Sequence, residues 1–266
     1  MPATSPTELL PDASTWMPAT GGESGAIVLR DAGGGRYAKI VPPSAAAALS
    51  DERDRIEWLS GTGIPGPEVL DWRETEHGAC LITSTVEGVP ADRLDPGGLA
   101  RAWPSIADAL VGLHGIPVDS CPYGRTLDDM MVLARATVAE DRVRSEFLPR
   151  HLVGTPPAVI LEDLERELPL RMAQEASESV ICHGDLCLPN VLVDPSTSRV
   201  AGLIDLGRLG RADPCADIAL LLANACETWP DARATERADR AFAARYGIVL
   251  DEARLDFYLR LDPLTW

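Results

Sequence analysis

The sequence has almost no lysine. Lys39 is the only one among 266 residues, and the other 23 basic residues are arginine. Positive charge is scarce altogether: 24 lysines and arginines face 41 aspartates and glutamates, a net charge of −17 at pH 7. That deficit argues against nucleic acid as a partner, because a phosphate backbone would be repelled. It argues equally against an anionic membrane surface. A field of this sign concentrates cationic small molecules instead. The basic n-region of a leader is missing too, since the first basic residue is Arg30 and residues 1–20 hold no apolar run. The longest apolar stretch, near Ile218–Ala223, is cut by Asn224, far short of a membrane span. None of the six cysteines shows C-x-x-C spacing, so they are expected to be reduced thiols of a cytoplasmic protein, without a zinc site. No internal repeat is present and no obligate protein partner is evident. The remaining proportions are globular, in an amount of chain that suits one large domain or two lobes.

What is present begins with short strands. A glycine turn at 21–25 feeds an apolar strand at 26–30. A second turn, Gly33–Gly35, leads into Arg36–Val41, which Pro42-Pro43 stops. Ser44 is placed to cap a helix running to about Ser60, and 67–72 and 78–83 read as two more strands. Ser84–Gly88 reads as a connector. Beyond it the pattern turns helical, with helices expected at 98–114 (broken near Pro104), 127–140, 158–174, 214–226, 232–245 and 252–261. Short strands at 179–182, 191–193 and 200–204 interrupt them. The order predicts an α+β protein in two lobes, 1–87 and 88–266.

Two charged residues stand out. A position that keeps lysine in an arginine-rich chain needs a compact ammonium rather than a planar fork. Glu52 shares one helix face with Leu49, Ile56 and Leu59, so a carboxylate lies on an apolar stripe. Burying it unpaired is expensive, and a cationic partner is expected.

The densest polar signal is His183-Gly184-Asp185-Leu186-Cys187-Leu188-Pro189-Asn190, entered and left by apolar strands. Fifteen residues after Asn190 comes Leu203-Ile204-Asp205-Leu206-Gly207. Asn190 and Asp205 are oxygen ligands at strand ends, which suits Mg²⁺. Asp185 is then left to accept a hydroxyl proton. Each piece alone is weak: an isolated H-x-D is commonly a capped turn. The joint pattern, with a strand lysine and a helix glutamate upstream, is far more specific.

That joint pattern resembles the protein-kinase fold and, within it, the aminoglycoside phosphotransferases, over nearly the whole chain. The resemblance implies a strand-rich, nucleotide-binding first lobe and a larger helical lobe for catalysis and acceptor binding. It implies ATP, with Ser24 and Gly25 in the flap over the triphosphate, Lys39 on the α/β-phosphates, Glu52 orienting Lys39, and Ser84–Val86 as the hinge against adenine. It makes Asp185 the catalytic base, Asn190 and Asp205 the Mg²⁺ ligands, and His183 an organiser of the loop. The segment from Ile204 to Asp213, with Asp217-Ile218-Ala219 after it, is close to the antibiotic kinases specifically.

The departures are from protein kinases. Gly184 replaces the arginine of H-R-D, no A-P-E follows Asp205, and Cys187 stands where those enzymes carry a lysine. A protein acceptor is therefore not expected, and no G-x-x-x-x-G-K-[ST] P-loop exists. The ending Leu261-Asp262-Pro263-Leu264-Thr265-Trp266 most resembles the streptomycin 3''-phosphotransferases. The resemblance implies a cationic aminoglycoside acceptor contacted by Asp262 and the Trp266 carboxylate, and a role in antibiotic resistance. Asp262 is also readable as a plain helix-end residue before Pro263. Arg208 and Arg211 fit either transferred charge or ion pairs with Asp213 or Asp217. Glu140, Asp141 and Glu146 suit an acidic acceptor wall or a solvated face. A kanamycin-type 3'-phosphotransferase, a metabolic small-molecule kinase and a non-catalytic nucleotide-binding regulator stay open.

Overall fold

The computed structural model describes residues 9–10, 16–19 and 26–266. These divide into two compact units, 1–88 with 201–207, and 89–200 with 208–266. The whole glycine turn at 21–25, with Ser24 and Gly25, lies outside the described residues.

The first unit is built on an antiparallel sheet of β1 (Trp16–Pro18), β2 (Ile27–Asp31), β3 (Arg36–Val41), β4 (Val69–Thr75) and β5 (Gly78–Ser84), in the order β1-β2-β3-β5-β4. In the middle strand the period of two buries Ala38 and Ile40, which meet Cys80 and Ile82 of β5, and leaves Lys39 on the opposite face. Helix α1 (Ala46–Ser60) buries Leu49, Glu52, Ile56 and Leu59, the stripe that the spacing predicts. The expected Ser44 cap is corrected. Pro43 opens a 3-10 turn over Pro43–Ala45, Ser44 falls inside it, and α1 starts without a side-chain cap.

The segment 201–207 joins this unit although it is distant in sequence. Leu203 N–H donates to Pro65 O at 3.0 Å. A Cβ on Gly202 would lie 2.8 Å from Val86 Cγ1 and 3.2 Å from Pro65 O, so only glycine lets the backbone approach this closely.

The second unit holds β6 (Val89–Pro90), α2 (Pro96–His114), α3 (Leu127–Ala139), α4 (Pro157–Glu178), β7 (Val180–Cys182), β8 (Val191–Asp194), the start of β9 (Arg199–Leu203), β10 (Gly210–Ala212), α5 (Pro214–Cys226), α6 (Ala232–Tyr246) and α7 (Glu252–Leu261). The break expected near Pro104 does not occur. Leu99, Trp103, Ile106 and Leu110 are all buried, so packing on both sides of the proline carries α2 through it. Likewise α4 runs through Pro169 to Glu178. Strands β1, β6 and β10, with two or three residues each, carry too little alternation to be read from sequence. The core here packs α3 against α5 and α7 through Leu127, Met131, Ala219, Phe257 and Leu261. Among the described residues no helix is long and apolar enough to cross a membrane.

The entry to α3 bears on the site described below. Thr126 and Asp129 form a reciprocal capping box, and Leu127 N–H donates to both Glu175 carboxylate oxygens at 2.9 and 3.1 Å. Burial raises the Glu175 pKa from 4.5 to about 7, against the opposing Leu127 hydrogen bond. The folded protein therefore keeps a proton there that the unfolded chain loses. The stability this contributes is complete below pH 4.5 and is lost as pH rises through 7. Glu175→Gln is expected to raise Tm at pH 8 and to change it little at pH 5. An equal shift at both values in thermal denaturation would contradict this account.

Candidate active site

Three of the residues expected to act together meet in the first unit. Lys39 Nζ donates to Glu52 Oε2 at 2.8 Å and to Asp205 Oδ1 at 3.2 Å. The cation expected opposite the buried Glu52 is thus the sole lysine. Burial disfavours the Lys39 ammonium, but Glu52 and Asp205 outweigh it and hold its pKa above the ordinary value. Burial also pushes Glu52 up, against the attraction of Lys39. Asp205 has a φ of 61°, a left-handed conformation that aspartate tolerates better than most residues. Its carboxylate is about half exposed, so it offers oxygens to a ligand as well as to Lys39.

The hinge residues are not equivalent. Ser84 N–H donates to Glu68 O at 2.9 Å, and Ser84 Oγ accepts from Glu68 N–H at 2.8 Å. Thr85 N–H donates to Gly35 O at 3.0 Å. Among the described residues no hydrogen bond engages the Val86 backbone. Of the two positions expected against adenine, Ser84 has its amide committed within the sheet and Val86 does not.

In the second unit, β7 delivers His183, Gly184 and Asp185 into a loop gripped from behind by Asp217. His183 N–H and Gly184 N–H donate to the two Asp217 oxygens at 2.6 and 2.8 Å. Burial alone would raise the Asp217 pKa, but the His114 hydrogen bond and charge, with the backbone donors, hold it below the ordinary value. An ionised Asp217 only accepts, so His114 presents Nε2–H to it at 3.2 Å, and His114 Nδ1 lies 2.6 Å from the Tyr246 hydroxyl. Asp217 is therefore an organiser of the loop. His183 is fully buried and its Nδ1 accepts from Asp185 N–H at 3.3 Å. Asp185 itself is half-buried. Asn190 Nδ2 donates to Asp185 O at 2.9 Å and lies 3.4 Å from Asp185 Oδ2. That use of its amide protons turns the Asn190 carbonyl oxygen into the group left for a cation.

The end of the chain departs from the simplest expectation. Asp262 is buried, and its carboxylate accepts hydrogen bonds from Arg208 at 3.4 Å and Trp266 Nε1 at 3.1 Å, with Arg125 Nη2 facing it as an ion pair at 3.6 Å. The Arg208 guanidinium lies 3.8 Å from the centre of the Trp266 ring, whose other neighbour, Phe147, stacks at 5.3 Å. Trp266 O accepts from Arg142 Nη1 at 3.3 Å. The partner of Arg208 is thus Asp262, not Asp213 or Asp217. Asp213 takes Arg254 at 2.6 Å instead, and Arg211 pairs through its backbone. Glu140 and Glu146 are paired with the neighbouring Arg142 and Arg144 at the surface. Arg125, His114 and Arg254 were not signalled by spacing, because each partner lies more than forty residues away.

The phosphotransferase enzyme family model matches residues 15–258. The chain belongs to that family. It is 55% identical to the streptomycin 3''-kinase of Streptomyces griseus, over 97% of this chain and 95% of that one. It is 38% identical to an aminoglycoside 3'-phosphotransferase of Streptomyces fradiae, over 93% and 94%. Among solved structures, the aminoglycoside phosphotransferase APH(3'')-Id of Streptomyces rimosus superposes with a TM-score of 0.91 at 56% identity, covering 94% of this chain and 93% of that one. The same protein in complex with ADP and streptomycin matches with a TM-score of 0.90. The α+β, kinase-like fold read from the motifs is the fold of these phosphotransferases.

Proposed function

We propose that this phosphotransferase moves the γ-phosphate of ATP to the 3'' hydroxyl of streptomycin, giving an inactive antibiotic and hence resistance. The observation that carries the reading is 55% identity, along 97% of the chain, to a streptomycin 3''-kinase. The charge of −17 suits a polycationic acceptor.

The first unit, 1–88 with 201–207, is assigned the nucleotide, and the second, 89–200 with 208–266, the acceptor and the base. Lys39, steadied by Glu52, neutralises phosphate oxygens, and Val86 offers its backbone to adenine. Asp185 orients the hydroxyl and takes its proton as the hydroxyl oxygen bonds to the γ-phosphorus. The bond from that phosphorus to the ADP oxygen breaks, and ADP leaves. Positioning and charge stabilisation supply most of the acceleration. The Asn190 amide oxygen and the Asp205 carboxylate are the hard oxygen donors that would hold Mg²⁺. When bound, the ion supplies neutralisation of the phosphate charge. Six free thiols and the need for ATP support a cytoplasmic setting for the proposed activity.

The test is ADP release from purified protein with Mg²⁺–ATP, with streptomycin and kanamycin as parallel acceptors. Release with streptomycin is expected, and phosphorus spectra of the product then place the phosphate. Release with kanamycin alone would retain phosphotransfer and overturn the acceptor. Silence with both, from folded protein that binds ATP, would overturn the activity.

A further inference from the structure

Arg125 has no role in the account so far, and its placement is unusual. It is 8% exposed, and its side chain runs directly over Gly184 in the catalytic loop. A Cβ on Gly184 would lie 2.8 Å from Arg125 Cδ and 2.2 Å from Arg208 O, and Gly184 has a φ of +83°. Glycine is required here by the backbone conformation and by the two neighbours that close over it. In H-R-D sequences this loop position carries a cation of its own. Here the loop gives up its side chain, and a cation arrives through space from another segment.

The backbone of Arg125 is as firmly placed as its side chain. Arg125 N–H donates to Arg211 O and Arg211 N–H donates to Tyr123 O, both at 3.0 Å. One residue later Thr126 caps α3. The guanidinium reaches the Asp262 carboxylate, with Nη2 at 3.6 Å from Oδ1. Arg125 and Asp262 also line one cavity together with Gly184 and Tyr258. Burial and the nearby Arg208 act against the Arg125 charge, while Asp262, Asp185 and Asp217 favour it. The guanidinium is buried, Asp262 is the carboxylate it pairs with, and its Nε and Nη2 have no hydrogen-bond partner among the described residues, so holding it there costs stability.

We infer that Arg125 is a positioning residue that ties Asp262, on the acceptor side, to the catalytic loop at Gly184. One side chain touches the loop that carries Asp185 and the carboxylate that ends α7. It thereby sets the distance between the proposed base and the acceptor-facing end of the chain. The inference rests on the proposed streptomycin phosphotransfer, and it assigns the side chain a part in geometry rather than in bond making.

The experiment compares the wild type with Arg125→Met, Arg125→Lys, Asp262→Asn and the Arg125→Met/Asp262→Asn double variant. Each is read by Tm, ATP affinity, and kcat and KM for streptomycin. Arg125→Met is expected to lose about 100-fold in kcat/KM for streptomycin, the scale of a misplaced reactant, with ATP affinity unchanged. Arg125→Lys, which keeps the stem over Gly184 and the charge, is expected to recover part of the loss. The double variant is expected to lose less than the product of the two single losses, because the two residues are coupled through their contact. The inference is overturned if folded Arg125→Met has wild-type kcat and KM, or if the losses multiply in the double variant. If Arg125→Met does not fold, Arg125→Lys decides: a lowered kcat/KM at unchanged Tm supports the inference and wild-type kinetics overturn it. Wild-type silence with streptomycin would instead sink the proposed function, and this inference with it.

Discussion

Asp185→Asn is expected to bind ATP like the wild type and to turn over about 10²–10⁴-fold more slowly, the usual contribution of a positioned general base. The substitution preserves shape. The Asn190 amide bonds the Asp185 backbone oxygen at 2.9 Å, and the Asp185 N–H bonds His183, so the loop retains both anchors. Lys39, Glu52 and Asp205 are untouched, which is why nucleotide affinity should hold. Steady-state ADP release together with equilibrium nucleotide binding checks both halves. Full turnover by the variant would remove Asp185 from the role of base. Loss of nucleotide binding as well would mean that the substitution acts on the fold rather than on proton transfer.

Lys39→Arg is the second large effect. A guanidinium keeps the positive charge beside Glu52, so stability should stay close to that of the wild type. Its planar fork does not reproduce a point charge that meets Glu52 at 2.8 Å and Asp205 at 3.2 Å together. A loss on the order of 10–100-fold in kcat/KM for ATP is expected, roughly 1.4–2.8 kcal/mol of transition-state stabilisation. Lys39→Met should behave differently. It leaves Glu52 buried without its cation, so about 3–5 kcal/mol of stability is expected to go with the activity. Chemical denaturation of both variants beside ATP kinetics separates the two effects. Wild-type kinetics for Lys39→Arg would remove the argument that this position demands lysine.

Much of the local structure was legible. The bounds 36–41, 214–226 and 252–261 coincide with β3, α5 and α7, because proline stops and apolar spacing mark their ends. The stripe through Leu49, Glu52, Ile56 and Leu59 predicted both the helix and its misplaced carboxylate. The apolar stripe required a cation for Glu52, and the resemblance to the aminoglycoside phosphotransferases named it as the only lysine, thirteen residues away on the preceding strand. Helix α2 shows the limit of such reading, since Pro104 looks like a break until the packing on its two sides is known.

The sequence by itself determined the α+β order of elements, the spacing of Asp185, Asn190 and Asp205, and the conflict at Glu52. These are local or periodic properties, set by backbone geometry and side-chain type. Only the tertiary structure decided which of many equivalent charges meet. With 23 arginines and 41 acids, sequence cannot choose between partners that lie far apart in the chain. Folding brought Asp205 to Lys39 across 166 residues and His114 to Asp217 across 103. It gave Asp262 to Arg208 and Arg125 and left Asp213 to Arg254. Such pairings follow from how helices and strands pack, and burial then enforces them, because an unpaired charge inside the protein is costly.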